Sequence, residues 1–185
     1  MFALDAKTIQ RIAPVVRRVL IVDPNPAAAR LLMDLLKGFG SREIVVEGDE
    51  ARVLDLAREM EPGLICTERA GPKLDGEALV RRIRRSSLSC RRAPIIMVTA
   101  EATASAIKGA RDSGVHEFLR KPFTSGDLQR RIENLATKPR DWVEAVGYVG
   151  PDRRRFNSDD YAGPQKRKAD KPRSGAEAAV AVKDQ

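Results

Sequence analysis

From Val19 onward the hydrophobic positions change period in a regular way, short continuous apolar runs alternating with longer stretches in which apolar residues recur at helical spacing. The short runs predict strands at 19–22, 44–47, 64–67, 95–99 and 117–119. The spaced stretches predict helices at about 27–37, 50–60, 76–85, 103–111 and 125–135. In the first of these, Leu31, Leu32, Leu35 and Leu36 share a stripe, and Gly38 and Gly40 supply the stop. Asp49 is placed to cap the second, which Pro62 ends, and Leu128, Ile132 and Leu135 form the apolar face of the last. Continuous apolar runs suit strands covered on both faces. The alternation therefore predicts an α/β protein, a parallel sheet sandwiched between helix layers, with its site at the carboxyl ends of the strands.

The pattern is weaker at both ends. Residues 1–16 read at best as a short amphipathic turn ended at Pro14. After about Thr137 the periodicity dissolves into a stretch rich in Pro, Gly, Arg and Lys, which predicts a tail disordered when free. The expected division is an N-terminal extension at 1–16, a globular body at 17–137 and a basic tail at 138–185.

Composition adds three constraints. The 34 Lys and Arg against 26 Asp and Glu give a formal charge of +8, which favours a polyanionic partner such as nucleic acid, nucleotide or an anionic membrane. Cys66 and Cys90 lie in different segments with no CxxC or Cys/His cluster, which excludes a disulfide framework and a structural zinc site. Cys66 reads as a small buried hydrophobe, and Cys90, in a basic loop, as at most an exposed thiol. Asp5, Lys7 and Arg11 break the apolar run that an export signal needs, and charges interrupt every candidate membrane span. A soluble protein of the reducing cytoplasm is expected. His116 is the only histidine, and with no nucleophile in recognisable context it reads as a packing or surface residue. No catalytic residue and no metal site are expected.

The strand ends carry the specific signal. Asp23 follows the first strand in VLIVDPN; Glu68, Pro72 and Asp75–Gly76 follow the third in LICTERAGPKLDG; Thr99 ends the fourth in IIMVTAEA; Lys121, Pro122 and Phe123 end the fifth in FLRKPF. Over 17–135 these spacings resemble the receiver domain of bacterial response regulators, of which CheY is the single-domain example. The resemblance implies a flavodoxin-like, doubly wound five-stranded sheet of order 2-1-3-4-5. In a working receiver, an acidic pair after the first strand and an aspartate after the third hold Mg²⁺, and that aspartate accepts a phosphoryl group. Mg²⁺ demands near-octahedral oxygen donors at about 2.0–2.1 Å. Here the second acidic position is Pro24 and the acceptor position is Glu68, so phosphoryl transfer is expected to be lost. Glu68 either mimics a phosphorylated aspartate or forms a pocket ion pair with Lys121 whose net worth is often small. Thr99 and Phe118 match the family's switch pair and equally suit ordinary packing at strand ends.

The tail is equally unusual. From Gly150 to Arg173 it carries eight Lys/Arg and four Asp/Glu, interleaved with aromatics and punctuated by Gly-Pro. This inventory suits guanine. An arginine fork donates to O6 and N7, worth about 1–3 kcal/mol of discrimination. A carboxylate accepts from the ring N–H and amino group, and an aromatic or guanidinium plane stacks on the base. Remaining cations pair with phosphates. Through GPDRRRFNSDDYAGP and the basic run after it, the segment resembles the arginine-rich extension of the CheY-like cyclic di-GMP effectors, the Cle proteins of flagellated alphaproteobacteria. That resemblance implies that the extension captures cyclic di-GMP, singly or as a stacked dimer, and that the receiver body acts on the flagellar motor switch protein, with no Mg²⁺ required. The candidate ligand residues are Tyr148, Asp152, Arg153, Arg154, Arg155, Phe156, Asn157, Ser158, Asp160, Tyr161 and Arg167, with Trp142, Tyr148 and Phe156 as stacking or docking candidates. A monomer is expected, without membrane insertion or specific nucleic-acid binding, recruited from the cytoplasm to the flagellar motor at the cell pole. The alternatives are a regulator controlled by phosphorylation and nonspecific nucleic-acid binding through the tail.

Overall fold

A computed structural model describes residues 5–154. The chain opens with helix α1 (Ala6–Val16), then alternates β1 (Arg18–Val22), α2 (Pro26–Gly38), β2 (Glu43–Glu47), α3 (Glu50–Met60) and β3 (Leu64–Thr67). A small hairpin, β4 (Ala70–Gly71) with β5 (Leu74–Asp75), precedes α4 (Gly76–Arg85) and a 3-10 turn at Ser89–Arg92. There follow β6 (Ile95–Thr99), α5 (Ala104–Ser113), β7 (Glu117–Arg120), α6 (Ser125–Thr137) and a second hairpin, β8 (Trp142–Ala145) with β9 (Tyr148–Pro151).

The main sheet is five-stranded and parallel in the order β2-β1-β3-β6-β7, which is the doubly wound order expected, the inserted β4–β5 hairpin accounting for the shifted numbers. Val22 pairs with Glu47 on one side and Thr67 on the other, so β1 and β3 end side by side with Asp23 and Glu68 as the next residues. The central strands are buried on both faces, as their unbroken apolar runs require. One core, around Leu20, Ile65, Leu79, Ile83 and Met97, lies under α3, α4 and α5; the other, around Ile21, Leu36, Cys66, Val98 and Ile132, lies under α1, α2 and α6.

The helices begin where side-chain caps permit. Asn25, Asp49, Asp75 and Thr103 each accept a first-turn amide, and Thr124 with Asp127 forms a reciprocal capping box at α6.

Two expectations about the ends are corrected. The N-terminal segment is a full helix that runs through Pro14 and packs on α6, burying Thr8, Ile12 and Val16 at four-residue spacing, with Asp5 as its cap. A single proline removes one amide from the helix, and the buried stripe outweighs that loss. The tail does not begin at 138. Residues through Arg153 belong to the compact body, because β8 and β9 pair and β9 packs on α4 and α5. A third correction concerns Cys90, which is buried in the 3-10 turn with its thiol donating to the Ala57 carbonyl at 3.4 Å. Cys66 is buried within β3, as expected, and burial pushes its thiol up to about 12.

Candidate functional site

The carboxyl ends of β1, β3 and β7 converge on a cleft of about 570 Å³ lined by Asp23, Pro24, Glu68, Gly71, Pro72 and Lys121 among others. At its floor Lys121 Nζ donates to Asp23 Oδ2 and to Glu68 Oε2, both at 2.7 Å. The remaining carboxylate oxygens are also engaged: Asp23 Oδ1 accepts from the Asn25 amide at 2.8 Å and Glu68 Oε1 from the Arg69 amide at 2.7 Å. Burial alone would lower the Lys121 ammonium, but its bonds to Asp23 and Glu68 outweigh burial and raise it above 10.5. Lys121 is therefore a fixed cation held between two carboxylates.

Pro24 completes the closure. Its ring lies against the β4–β5 hairpin so tightly that a Cβ at Gly71 would fall 2.4 Å from Pro24 Cγ. Beside the hairpin, Arg69 pairs with Glu77 at 3.2 Å and with Glu101 at 2.5 Å, tying the β3 loop to α4 and the β6 loop. Thr99 is buried, its hydroxyl accepting from the Glu101 amide at 3.2 Å, and Phe118 is half-buried against the core.

These residues do not fit the Mg²⁺ that a working receiver holds. Pro24 offers no oxygen, each oxygen of Asp23 and Glu68 already accepts from a protein donor, and the Lys121 ammonium sits between them. Among the described residues no group of His, Cys, Asp and Glu has the arrangement of a metal site.

The second assembly is the docked hairpin. Arg84 on α4 is wholly buried. Its Nε donates to the Gly114 carbonyl at 3.0 Å, and its Nη1 to the Arg91 and Ala93 carbonyls at 2.6 and 2.9 Å. Nη2 lies 3.1 Å from His116 Nδ1, which also accepts from the Ile95 amide at 3.2 Å. His116 therefore uses Nδ1 as an acceptor, and burial together with the Arg84 and Arg140 charges lowers it well below 6.5. It is a packing histidine, as expected. Burial also pushes the Arg84 guanidinium down to about 9, which leaves it charged at neutral pH. The signal for its burial was its place four residues after Val80 on the apolar stripe of α4.

Trp142 of β8 lies against Arg84 and Arg92, whose guanidinium carbons are 5.4 and 5.3 Å from its ring centre, and its indole N–H donates to Glu144 at 2.8 Å. Glu144 pairs in turn with Arg91 and Arg92. On the other strand Gly150 backs onto Gly114: a Cβ at Gly150 would fall 2.9 Å from Gly114 Cα, so β9 approaches the end of α5 as only glycine allows. Tyr148 is buried, its hydroxyl donating to the Pro151 carbonyl at 2.5 Å, and burial raises its phenol above the usual value. Of the two roles expected for Tyr148 and Trp142, this placement is the docking one. Arg153 covers the Tyr148 ring at 4.5 Å and pairs with Asp112 on α5 at 2.9 Å. The Asp152 amide donates to the Asp141 carbonyl at 2.7 Å, and Arg154 is exposed. Arg155, Phe156, Asn157, Ser158, Asp160, Tyr161 and Arg167 lie outside the described residues.

This arrangement of strand-end residues on a doubly wound sheet is that of a receiver. Residues 19–133 match the response regulator receiver domain family, and the chain belongs to that family. It is 30% identical over 116 residues to the DNA-binding response regulator MtrA of Mycolicibacterium smegmatis, an alignment covering 63% of this chain and 49% of that protein. The chain thus spans about half the length of that relative. A putative response regulator from Chloroflexus aurantiacus superposes with a TM-score of 0.61 at 27% identity, over 66% of this chain and 98% of that one. The receiver domain of the sensor histidine kinase PA1611 from Pseudomonas aeruginosa, solved with a magnesium ion coordinated in its active site cleft, gives a TM-score of 0.58 at 28% identity, over 65% and 96% of the two chains. No helix among the described residues is long and apolar enough to cross a membrane.

Proposed function

We propose that this receiver is a non-catalytic cyclic di-GMP effector: the arginine-rich tail captures the dinucleotide, and the receiver body then binds and tunes the flagellar motor switch without phosphorylation. The observation that supports the phosphorylation-independent part of this reading is the cleft, in which Lys121 is held at 2.7 Å by both Asp23 and Glu68 and Pro24 stands where the family has an oxygen donor. On this reading the cleft is not the input, and the signal enters through the tail. The tail sequence after Pro151 supplies the arginines, carboxylates and aromatics that guanine recognition requires. Ordering such a segment on a ligand costs about 2–5 kcal/mol, so micromolar binding, about 8 kcal/mol net, calls for several charge-assisted bonds acting together.

Calorimetry of the full chain with cyclic di-GMP, with cyclic di-AMP and GTP as controls, tests the ligand. Binding restricted to cyclic di-GMP at physiological salt is expected, and its absence ends the reading. Capture of the motor switch protein with and without the dinucleotide tests the output. A phosphate-controlled regulator is the second reading, favoured by family membership and by retention of Asp23, Thr99 and Lys121. It requires a phosphoryl mass shift on incubation with a small phosphodonor and Mg²⁺.

A further inference from the structure

Arg69, the residue after Glu68, reaches from the floor of the cleft to two other elements. Its amide donates to Glu68 Oε1 at 2.7 Å, which fixes the backbone from which the side chain departs. Its Nη1 donates to Glu77 Oε1 on α4 at 3.2 Å, and its Nη2 to Glu101 Oε2 in the loop after β6 at 2.5 Å. The side chain is only 24% exposed and its Nε is buried with no partner, so a partly desolvated cation depends on these two carboxylates. Glu77 is held from a further side. A Cβ at Gly109 would fall 2.6 Å from Glu77 Oε1, so the carboxylate lies against α5 where only glycine leaves room.

At the other arm, the Glu101 amide donates to Thr99 Oγ1 at 3.2 Å, and Thr103, two residues on, caps α5 by accepting from the Ala106 amide. We propose that Arg69 is a strap through which the cleft sets the position of the β6–α5 loop and the first turn of α5. The fork starts from a backbone position that Glu68 holds, so a change at Glu68 reaches α5 through Arg69, along a chain of direct bonds. Ile107, 47% exposed on α5, has its amide bonded to the Thr103 carbonyl at 3.0 Å, so the outward surface of that turn follows the loop. The strap lies wholly within the receiver body and does not depend on what the tail binds.

Backbone ¹⁵N relaxation of the full chain tests this, because order parameters report motion within the folded state and are blind to a change in global stability. In the parent, residues 100–107 are expected near the rigid value of about 0.85. Arg69→Met keeps the aliphatic stem and removes the fork; order there is expected to fall to about 0.6 or below, with β1 and β3 unchanged. Glu77→Ala alters α4 alone, yet should lower order in the loop as well, and adding it to Arg69→Met should lower order no further. Glu68→Ala, which takes the acceptor from the Arg69 amide, should produce a smaller loss at the same residues. Should Arg69→Met not fold, Glu101→Gln cuts the loop's arm alone and carries the same expectation. Parent-like order in the loop of Arg69→Met or Glu101→Gln overturns the strap, as does a further loss in the double variant. Parent-like order in Glu68→Ala overturns the coupling to the cleft. Each of these outcomes leaves the ligand assignment of the tail untouched.

Discussion

Replacing Lys121 by methionine, which keeps most of the side-chain volume and deletes the ammonium, tests whether that cation holds the cleft together. In the parent, Nζ lies 2.7 Å from Asp23 Oδ2 and 2.7 Å from Glu68 Oε2, and the three side chains are only 21%, 6% and 13% exposed. Without the ammonium, two carboxylates face each other about 5 Å apart, a repulsion of about 3 kcal/mol at an effective dielectric constant of 20. Deleting one partner of a buried pair costs about 3–5 kcal/mol, and the partial exposure here argues for the lower part of that range. The expected loss at pH 7 is therefore about 2–4 kcal/mol, read from urea unfolding midpoints. Adding Glu68→Gln should restore most of it by removing the repulsion. A loss below about 0.5 kcal/mol, or no rescue by Glu68→Gln, would refute the argument. In the parent, the raised Lys121 value means that the ammonium's own contribution is fully present below about 10.5 and is lost as pH climbs through the folded value.

Three further outcomes follow from the geometry. His116 is held neutral in the folded state, so below about pH 6.5 the unfolded chain binds a proton that the folded chain does not; stability should fall by up to about 1.4 kcal/mol per pH unit, and His116→Asn should flatten that slope in a pH series of unfolding curves. Arg84→Met leaves the Gly114, Arg91 and Ala93 carbonyls without this donor and is expected to cost about 3–5 kcal/mol, with tryptophan fluorescence reporting exposure of Trp142; unchanged emission would mean that the hairpin docks without Arg84. Pro24→Asp combined with Glu68→Asp supplies a donor and withdraws a carboxylate from Lys121, so calorimetry is expected to detect Mg²⁺ binding in the double variant and none in the parent, and equal heats from both proteins would show that Pro24 and Glu68 do not set metal binding.

The chain's own pattern determined the body of this protein. Unbroken apolar strands and amphipathic helices have few ways to bury their surfaces, and a parallel sheet with right-handed crossovers is the one that alternation permits. The same logic placed Asp23, Glu68, Thr99 and Lys121 at one end of the sheet, because residues that follow adjacent parallel strands must be neighbours. What tertiary structure decided is everything that depends on a distant surface. Residues 142–151 are too short to be stable as an isolated hairpin and acquire their form from α4 and α5, so nothing local announced them. Arg84 owes its burial to three carbonyls, a histidine and an indole from other segments of the chain. Likewise, the bonds that hold Lys121 join residues 53 and 98 positions apart, and their consequence for metal and phosphoryl chemistry follows from their distances in space.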